Sequence, residues 1–308
     1  MKHLNRALLT LGVIGPMAAH ITAPASAATV GYWRLGDDGG ILADSSGNGN
    51  TLTAQGASGL GAGTVPTQVN LGSSGPGSAF SDPIPQTQAT NDLAADFNGT
   101  SGGDRLYVAD PFDSSLDFTV EAYLNLGSTN SRTQYFVSQY YTGSVDPGTD
   151  PTRQPNRSWA LGIADNDGTG AATANSFFLL LSGDGTSTTI LPVGITPDLG
   201  DDYYLAVRFD NSSAVGDVQF TYQNLTDATP LTTVTLSSGI ESLFDARSEI
   251  QLGAYNQNQN NFDGLLDEVR LSTGQLSDAE LLITVPEPAG LWLLAGGSVL
   301  VARRRRSA

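Results

Sequence analysis

Two separated groups of oxygen-bearing residues offer the most specific chemistry in this sequence. From Leu265 to Leu271 the side chains alternate. Leu265, Asp267, Val269 and Leu271 fall in one phase, and Leu266, Glu268 and Arg270 in the other. Asp267 therefore shares a face with apolar neighbours, where a carboxylate is costly unless it is hydrogen-bonded, paired or metal-bound. The second group is the loop Asp44-Ser-Ser-Gly-Asn-Gly-Asn50, which concentrates Asp44, Asn48 and the carbonyls of residues 47–50. Hard oxygen donors of this kind suit a calcium ion, which takes about six to eight of them. A second reading is that Asp44 opens an Asx-turn and Asp267 accepts hydrogen bonds from that loop.

Catalytic chemistry is narrowed by what the chain lacks. There is no cysteine, Lys2 is the single lysine, and His3 and His20 are the only histidines. All three lie in the first twenty residues. Serine–histidine and cysteine–histidine nucleophiles, histidine metal centres, Schiff bases and phosphate-loop lysines are thereby excluded from the rest. Paired carboxylates remain as a catalytic option. The glutamates before the tail, Glu121, Glu241, Glu249, Glu268 and Glu280, are scattered rather than clustered. Tyr135, Tyr140, Tyr141, Trp159 and Tyr255 lie in or beside loop-flanked strands and could stack on sugar rings, or could fill a core. The amide-rich run 256–261 could hydrogen-bond a glycan or form a solvated tip.

Both ends carry targeting patterns. Lys2 and Arg6 precede an apolar run from Ala7 to Ala19, and Ala25-Ser26-Ala27 supplies small residues for cleavage, so 1–27 reads as a secretory signal peptide. Between Thr29 and Ile283 lies the folded domain, assigned to 28–284. The tail, 285–308, contains Pro286-Glu287-Pro288, an apolar segment from Ala289 to Ala302, and Arg303 to Arg306. Fourteen helical residues reach only about 21 Å, less than a hydrocarbon core of about 30 Å. The 14 basic residues lose Lys2, Arg6 and the terminal arginines, and the 31 acids lose Glu287, which leaves a net charge near −22. Such a surface repels nucleic acid and anionic lipid and attracts divalent cations. Without cysteine, stability rests on packing and on any bound metal.

The elements that position these groups read as strands. Runs recur from Thr29 to Leu35, Leu93 to Phe97, Arg105 to Ala109, Asp117 to Leu126, Gln134 to Tyr141 and Ser158 to Ala164. Further runs cover Ser176 to Ser182, Tyr203 to Phe209, Val218 to Tyr222, Leu231 to Leu236 and Ile250 to Gly253. Phe118, Val120, Ala122, Leu124 and Leu126 alternate cleanly, whereas 177–181 is continuously apolar, as in a strand covered on both faces. Residues 54–88 read as an irregular excursion, and 98–103 as a hairpin-like turn. Ser277, with Glu280 three residues on, heads a short helix. About twelve strands and no internal repeat predict an all-β protein, a two-sheet antiparallel sandwich.

Several of these motifs occur in a familiar order. Gly31-Tyr-Trp-Arg-Leu-Gly with the 44–50 loop comes first, followed by Ala95-Asp-Phe-Asn-Gly, Asp117-Phe-Thr-Val-Glu-Ala-Tyr and Tyr204-Leu-Ala-Val-Arg-Phe-Asp. Phe262-Asp-Gly-Leu-Leu-Asp-Glu-Val-Arg with Leu276-Ser-Asp-Ala-Glu comes last. The series resembles the laminin-G-like jelly roll of the concanavalin A-like lectin/glucanase superfamily, with Tyr123 where the family usually has Trp. The resemblance implies adjacent first and last strands, which would bring the Asp44–Asn48 loop and Asp267 together around a structural calcium. Glucan-cleaving relatives carry a Glu-x-Asp-x-x-Glu strand motif, and this chain has none. The tail in turn resembles a PEP-CTERM sorting signal. That resemblance implies processing at Pro286, Glu287 and Pro288 by an exosortase-type enzyme, after transient anchoring in the inner membrane of a Gram-negative, biofilm-forming bacterium. The expectation is an exported, non-catalytic carbohydrate- or matrix-binding protein at the cell surface or in the extracellular matrix, with an extracellular polysaccharide as its partner. A glycan hydrolase of the same fold and a purely structural matrix protein are the alternatives.

Overall fold

The computed structural model describes residues 27–54, 65–99, 104–127, 131–141, 156–215, 217–255 and 260–286. The signal segment 1–26 and the tail from Glu287 onward lie outside the described residues. Among the described residues, no helix is long and apolar enough to cross a membrane.

Fifteen strands are described. In chain order the first eight are β1 (Thr29–Trp33), β2 (Thr53–Ala54), β3 (Thr67–Asn70), β4 (Leu93–Phe97), β5 (Leu106–Val108), β6 (Phe118–Leu126), β7 (Gln134–Tyr141) and β8 (Asn156–Ile163). The remainder are β9 (Phe177–Leu181), β10 (Thr189–Pro192), β11 (Asp202–Phe209), β12 (Val218–Asn224), β13 (Thr232–Leu236), β14 (Ile250–Leu252) and β15 (Gly264–Thr273). They form two antiparallel sheets, as the all-β jelly-roll expectation requires. The larger runs β13-β12-β11-β6-β15-β4-β3, with β1 paired to β15, and the smaller runs β10-β9-β8-β7-β14-β5-β2.

The main core fills the space between the layers. The alternating set of β6, from Phe118 to Leu126, meets Phe177, Leu179 and Leu181 of β9 there, with Trp33 and Leu35 from the first strand region. Phe178 and Leu180 point instead to the outer face of the smaller sheet, so the unbroken apolar run of β9 is covered on both sides. A second cluster covers the outer face of the larger sheet. Phe80 and Ile84 from the excursion, and Leu276, Leu281 and Leu282 after β15, pack there on Tyr123, Tyr204 and Leu265.

Four expectations need correction. The 98–103 turn does not close a hairpin, because β4 pairs with β15 and β3 while β5 pairs with β14 and β2 in the other layer. Of the excursion, residues 55–64 lie outside the described residues, and 65–88 are more ordered than their composition suggests. They contribute β3 and are pinned where Gly77 and Ala79 donate N–H bonds of 2.8 Å to the Asp202 carboxylate. Ser277 heads a single 3-10 turn, Asp278–Glu280, rather than an α-helix. Glu280 does reach back to the Ser277 N–H at 2.8 Å, as a capping residue should. Finally, the alternation of β15 is broken by a bulge. The register against β6 shifts between Asp267 and Arg270, and Glu268 has φ +50°. Leu266, Val269 and Leu271 therefore enter the main core, while Leu265 and Asp267 face the opposite way.

Candidate functional site

The outer face of the smaller sheet gathers aromatic side chains into one row. Tyr135 and Tyr140 project from β7, Phe178 from β9, and Tyr255 follows β14. Tyr135 and Tyr255 stack with ring centres 4.3 Å apart and planes 25° apart, and Tyr140 lies 5.4 Å from Tyr255. The Arg157 guanidinium sits 5.9 Å above the Tyr140 ring. Tyr135 and Tyr140 are buried, whereas Tyr255, Tyr141 and Arg157 are half-exposed. Burial pushes the Tyr135 and Tyr255 hydroxyls up, so both rings stay neutral at ordinary pH. An open ring backed by a second ring is a rigid apolar platform with polar rims. Trp159 is not part of it. It is fully buried between the layers, 5.3 Å from Phe118, because its place on β8 turns it inward. The amide-rich run 256–261 falls largely outside the described residues, and Asn261 is buried with its amide donating to the Asp104 carbonyl.

The three residues expected to share a metal lie in two elements, Asp44 and Asn48 in the 44–50 loop beside β1 and Asp267 in β15. β1 does pair with β15, in register Trp33 to Val269. The 44–50 loop, however, lies along the other edge of β1. There Asp44 accepts the N–H groups of Tyr32, Ser46 and Asn50 at 3.1, 2.9 and 2.8 Å. Asn48 donates its amide to the carbonyls of Thr29 and Val30 at 2.7 and 3.1 Å. Burial opposes ionisation of Asp44, but the hydrogen bonds from Ser46, Tyr32 and Asn50 outweigh it and hold its pKa below the ordinary value. Asp44 and Asn48 thus staple the loop to β1, with Asp44 capping the turn as the Asx-turn reading has it.

Asp267 has a different environment. It is wholly buried, and the groups that stabilise its carboxylate are the Asn91 side chain and the Glu268 backbone N–H. Asn91, also buried, puts its side-chain amide against the carboxylate. Its pKa is pushed well up, by burial first and then by the charge of Glu268. Glu268 itself is satisfied. It takes the Tyr32 hydroxyl and the Arg34 Nε–H, the latter at 2.8 Å. Asn91 gave no periodic signal in sequence, since it lies in irregular chain between the excursion and β4.

A cleft of about 680 Å³ opens on the larger sheet, lined by Asn70, Asp96, Asn125 and Asp263 among others. Burial and the charges of Asp263 and Asp104 raise the Asp96 pKa. Asp198, Asp201 and Asp227 bring ligand atoms within 4.8 Å of one another at a largely exposed loop site. Of the sorting residues, Pro286 is exposed at the end of the described chain, and Glu287 and Pro288 lie beyond it.

The fold has solved counterparts. Domain 4 of AbnA, an extracellular GH43 arabinanase from Geobacillus stearothermophilus seen with arabinotriose, is similar with a TM-score of 0.52 at 15% identity, over 83% of this chain and 97% of that one. The binding domain of Paraclostridial Mosquitocidal Protein 1 gives 0.49 at 12% identity, over 83% and 51%. The enzymatically active domain of tailspike protein 2 from bacteriophage CBA120 gives 0.45 at 15% identity, over 75% and 33%. The chain thus spans about half or less of the latter two. No curated protein matches the sequence. A laminin-G family profile described as the concanavalin A-like lectin/glucanases superfamily matches residues 98–282, more than half of the chain, and the chain belongs to that family.

Proposed function

We propose that this protein is an exported, non-catalytic glycan-binding domain that holds an extracellular polysaccharide on the outer face of its smaller sheet. The observation that carries this reading is the half-exposed Tyr255 ring, backed by Tyr135 and flanked by Tyr140 and Arg157. A sugar ring laid on Tyr255 would bury its apolar C–H face, and the Arg157 guanidinium would meet hydroxyls at the edge. A domain of this fold holds arabinotriose in AbnA, which makes neutral oligosaccharides the class to test first. Export through the 1–27 signal and sorting through Pro286, Glu287 and Pro288 complete the proposal. They place the domain at the cell surface or in the matrix after an exosortase-type enzyme has acted.

The test is a glycan array on the purified protein, followed by titration of the best oligosaccharide against wild type and Tyr255→Ala. A loss of tenfold or more in affinity, with the melting curve still cooperative, is expected; equal affinity overturns the assignment. Replacing Pro286, Glu287 and Pro288 by alanine should change the size and cellular distribution of the protein, and a wild-type pattern removes the sorting proposal.

A second reading has one specific observation behind it. Asp96, its pKa raised by burial and by the charge of Asp263, lines the cleft on the larger sheet together with Asp263, and a pair of carboxylates is what glycoside hydrolysis uses. Release of reducing ends from a polysaccharide, abolished by Asp96→Asn, would favour that reading over binding alone.

A further inference from the structure

We propose that the tyrosine row takes sugars that carry a carboxylate, uronic acid residues, and that the Arg157 guanidinium is the group that clasps it. The inference rests on the glycan-binding reading of this face and adds to it the class of sugar.

The place of Arg157 is set by a break in β8. Trp159, Leu161 and Ile163 alternate into the main core, so strict alternation would send Arg157 there too. The register against β7 shifts between Gln139, which pairs with Trp159, and Tyr140, which pairs with Arg157, and Ser158 is the extra residue. A bulge of this kind re-aims the side chain beside it. Arg157 is thereby turned to the outer face, over the ring of its own cross-strand partner Tyr140.

Its donors are divided. Nη1 is anchored on the Thr186 carbonyl, with the Thr188 hydroxyl at 3.4 Å. Thr188 also meets the Tyr140 hydroxyl, which fixes guanidinium, ring and turn relative to one another. Nε and Nη2 have no acceptor among the described residues. These two form the side of a guanidinium that offers parallel N–H bonds, matched to the two oxygens of a carboxylate. A sugar hydroxyl uses one of them, whereas a carboxylate uses both.

Charge points the same way. Five of the seven described arginines, Arg34, Arg105, Arg208, Arg247 and Arg270, have a carboxylate oxygen within 4.0 Å. Arg157 has no such partner among the described residues, in a domain whose net charge is near −22. The acid of the adjacent turn, Asp184, is committed to that turn, where it accepts the Thr186 and Ser187 N–H groups at 2.8 and 2.6 Å. Repulsion from the rest of the surface is screened beyond about 8 Å at physiological salt, so a contact pair is decided locally. The positive charge of Arg157 also opposes the rise in the Tyr255 pKa, which puts the guanidinium near the ring that would carry the sugar. The ring stack does not read charge, and a neutral oligosaccharide can lie on it; Arg157 decides between sugars that are otherwise alike.

The test titrates purified full-length protein with trisaccharides of glucuronate, galacturonate, mannuronate and guluronate, each compared with its own methyl ester. At least one free acid is expected to bind about tenfold more tightly than its ester. Arg157→Gln should erase that difference while keeping the affinity for the ester. Arg157→Lys, which keeps a charge and a donor for the Thr186 carbonyl but lacks the fork, should retain only part of it. Tyr255→Ala should weaken acid and ester alike. Equal binding of every acid and its ester, or a preference that survives Arg157→Gln, overturns this inference and leaves the platform reading standing. A sulfated neutral trisaccharide held more tightly than every uronate overturns the choice of carboxylate. Failure of all these trisaccharides and of neutral ones to bind removes the platform reading and this inference together.

Discussion

Arg270 on β15 grips Glu121 on β6 with two nitrogens, Nε at 2.6 Å and Nη2 at 2.5 Å from the same carboxylate oxygen. The other oxygen of Glu121 accepts the Leu282 N–H at 2.8 Å and the Tyr204 hydroxyl at 2.5 Å. Arg270 also donates to the Glu280 carbonyl at 2.6 Å. One buried pair therefore joins the central strands of the larger sheet to the segment that closes its outer face.

Removing one partner should expose the cost of that burial. Arg270→Met leaves the Glu121 carboxylate enclosed without its countercharge, and the expected loss is about 3–5 kcal/mol of unfolding free energy. Urea denaturation measures it, and a loss below about 1 kcal/mol would mean that Glu121 is served by its other donors alone.

Asp44 should behave as a structural acceptor. Asp44→Ala strands three N–H groups, for an expected cost of about 1–3 kcal/mol at neutral pH. Because its folded pKa lies below the ordinary value, its contribution is present above about pH 4 and is lost as pH falls through the folded value. The mutant and wild-type stability curves should therefore converge in acid. Curves that stay parallel down to the lowest folded pH would contradict this.

Asp267 should show the opposite slope in EDTA. Its folded pKa is raised, so between its ordinary value of 3.8 and that raised value the folded state binds more protons than the unfolded one. Stability in EDTA should then fall as pH rises through that window, and Asp267→Asn should flatten the curve. Glu268, also raised by burial, contributes in the same sense and accounts for any slope that remains.

Core and platform aromatics should separate cleanly. Trp159→Ala removes a fully buried ring and should cost about 3–5 kcal/mol, with glycan affinity per folded molecule unchanged. Chemical denaturation and titration below the unfolding midpoint read the two effects separately; a selective loss of affinity would return Trp159 to the binding face.

Gly253 is constrained by both conformation and space. It has φ +74°, and an added Cβ would lie 2.2 Å from the buried Phe97 ring. Gly253→Ala should destabilise by about 1–3 kcal/mol through strain and overpacking. Differential scanning calorimetry should show a single transition at a lower temperature; an unchanged midpoint would show that Phe97 yields freely.

The layered fold was legible because period-two patterning is local. Phe118 to Leu126 and the doubly covered 177–181 could be read from side-chain phase alone. What failed was whatever depended on an interruption of that phase. The bulge at Glu268 reverses the side of Leu265 and Asp267 relative to Val269, and no residue type in β15 announces it. The short edge strand β10, with Pro192 at its end, and the pairs made by β2 and β3 arise from tertiary contact rather than from pattern. At the candidate sites, Asp267 stood out because it broke a rule, whereas Asn91 beside it lies in irregular chain where there is no rule to break. Trp159 and Tyr255 looked alike in sequence, and only the choice of sheet face told them apart.

The pairing of β1 with β15 has a mechanical consequence. The Thr273 N–H donates to the Ala28 carbonyl at 2.9 Å and the Ala28 N–H to the Thr273 hydroxyl at 3.2 Å, so the domain is entered and left at neighbouring points of one layer. The tyrosine row belongs to the other layer. Any leash attached at either terminus would pull on the back of the molecule, leaving the stacked rings turned outward toward whatever polymer drifts past.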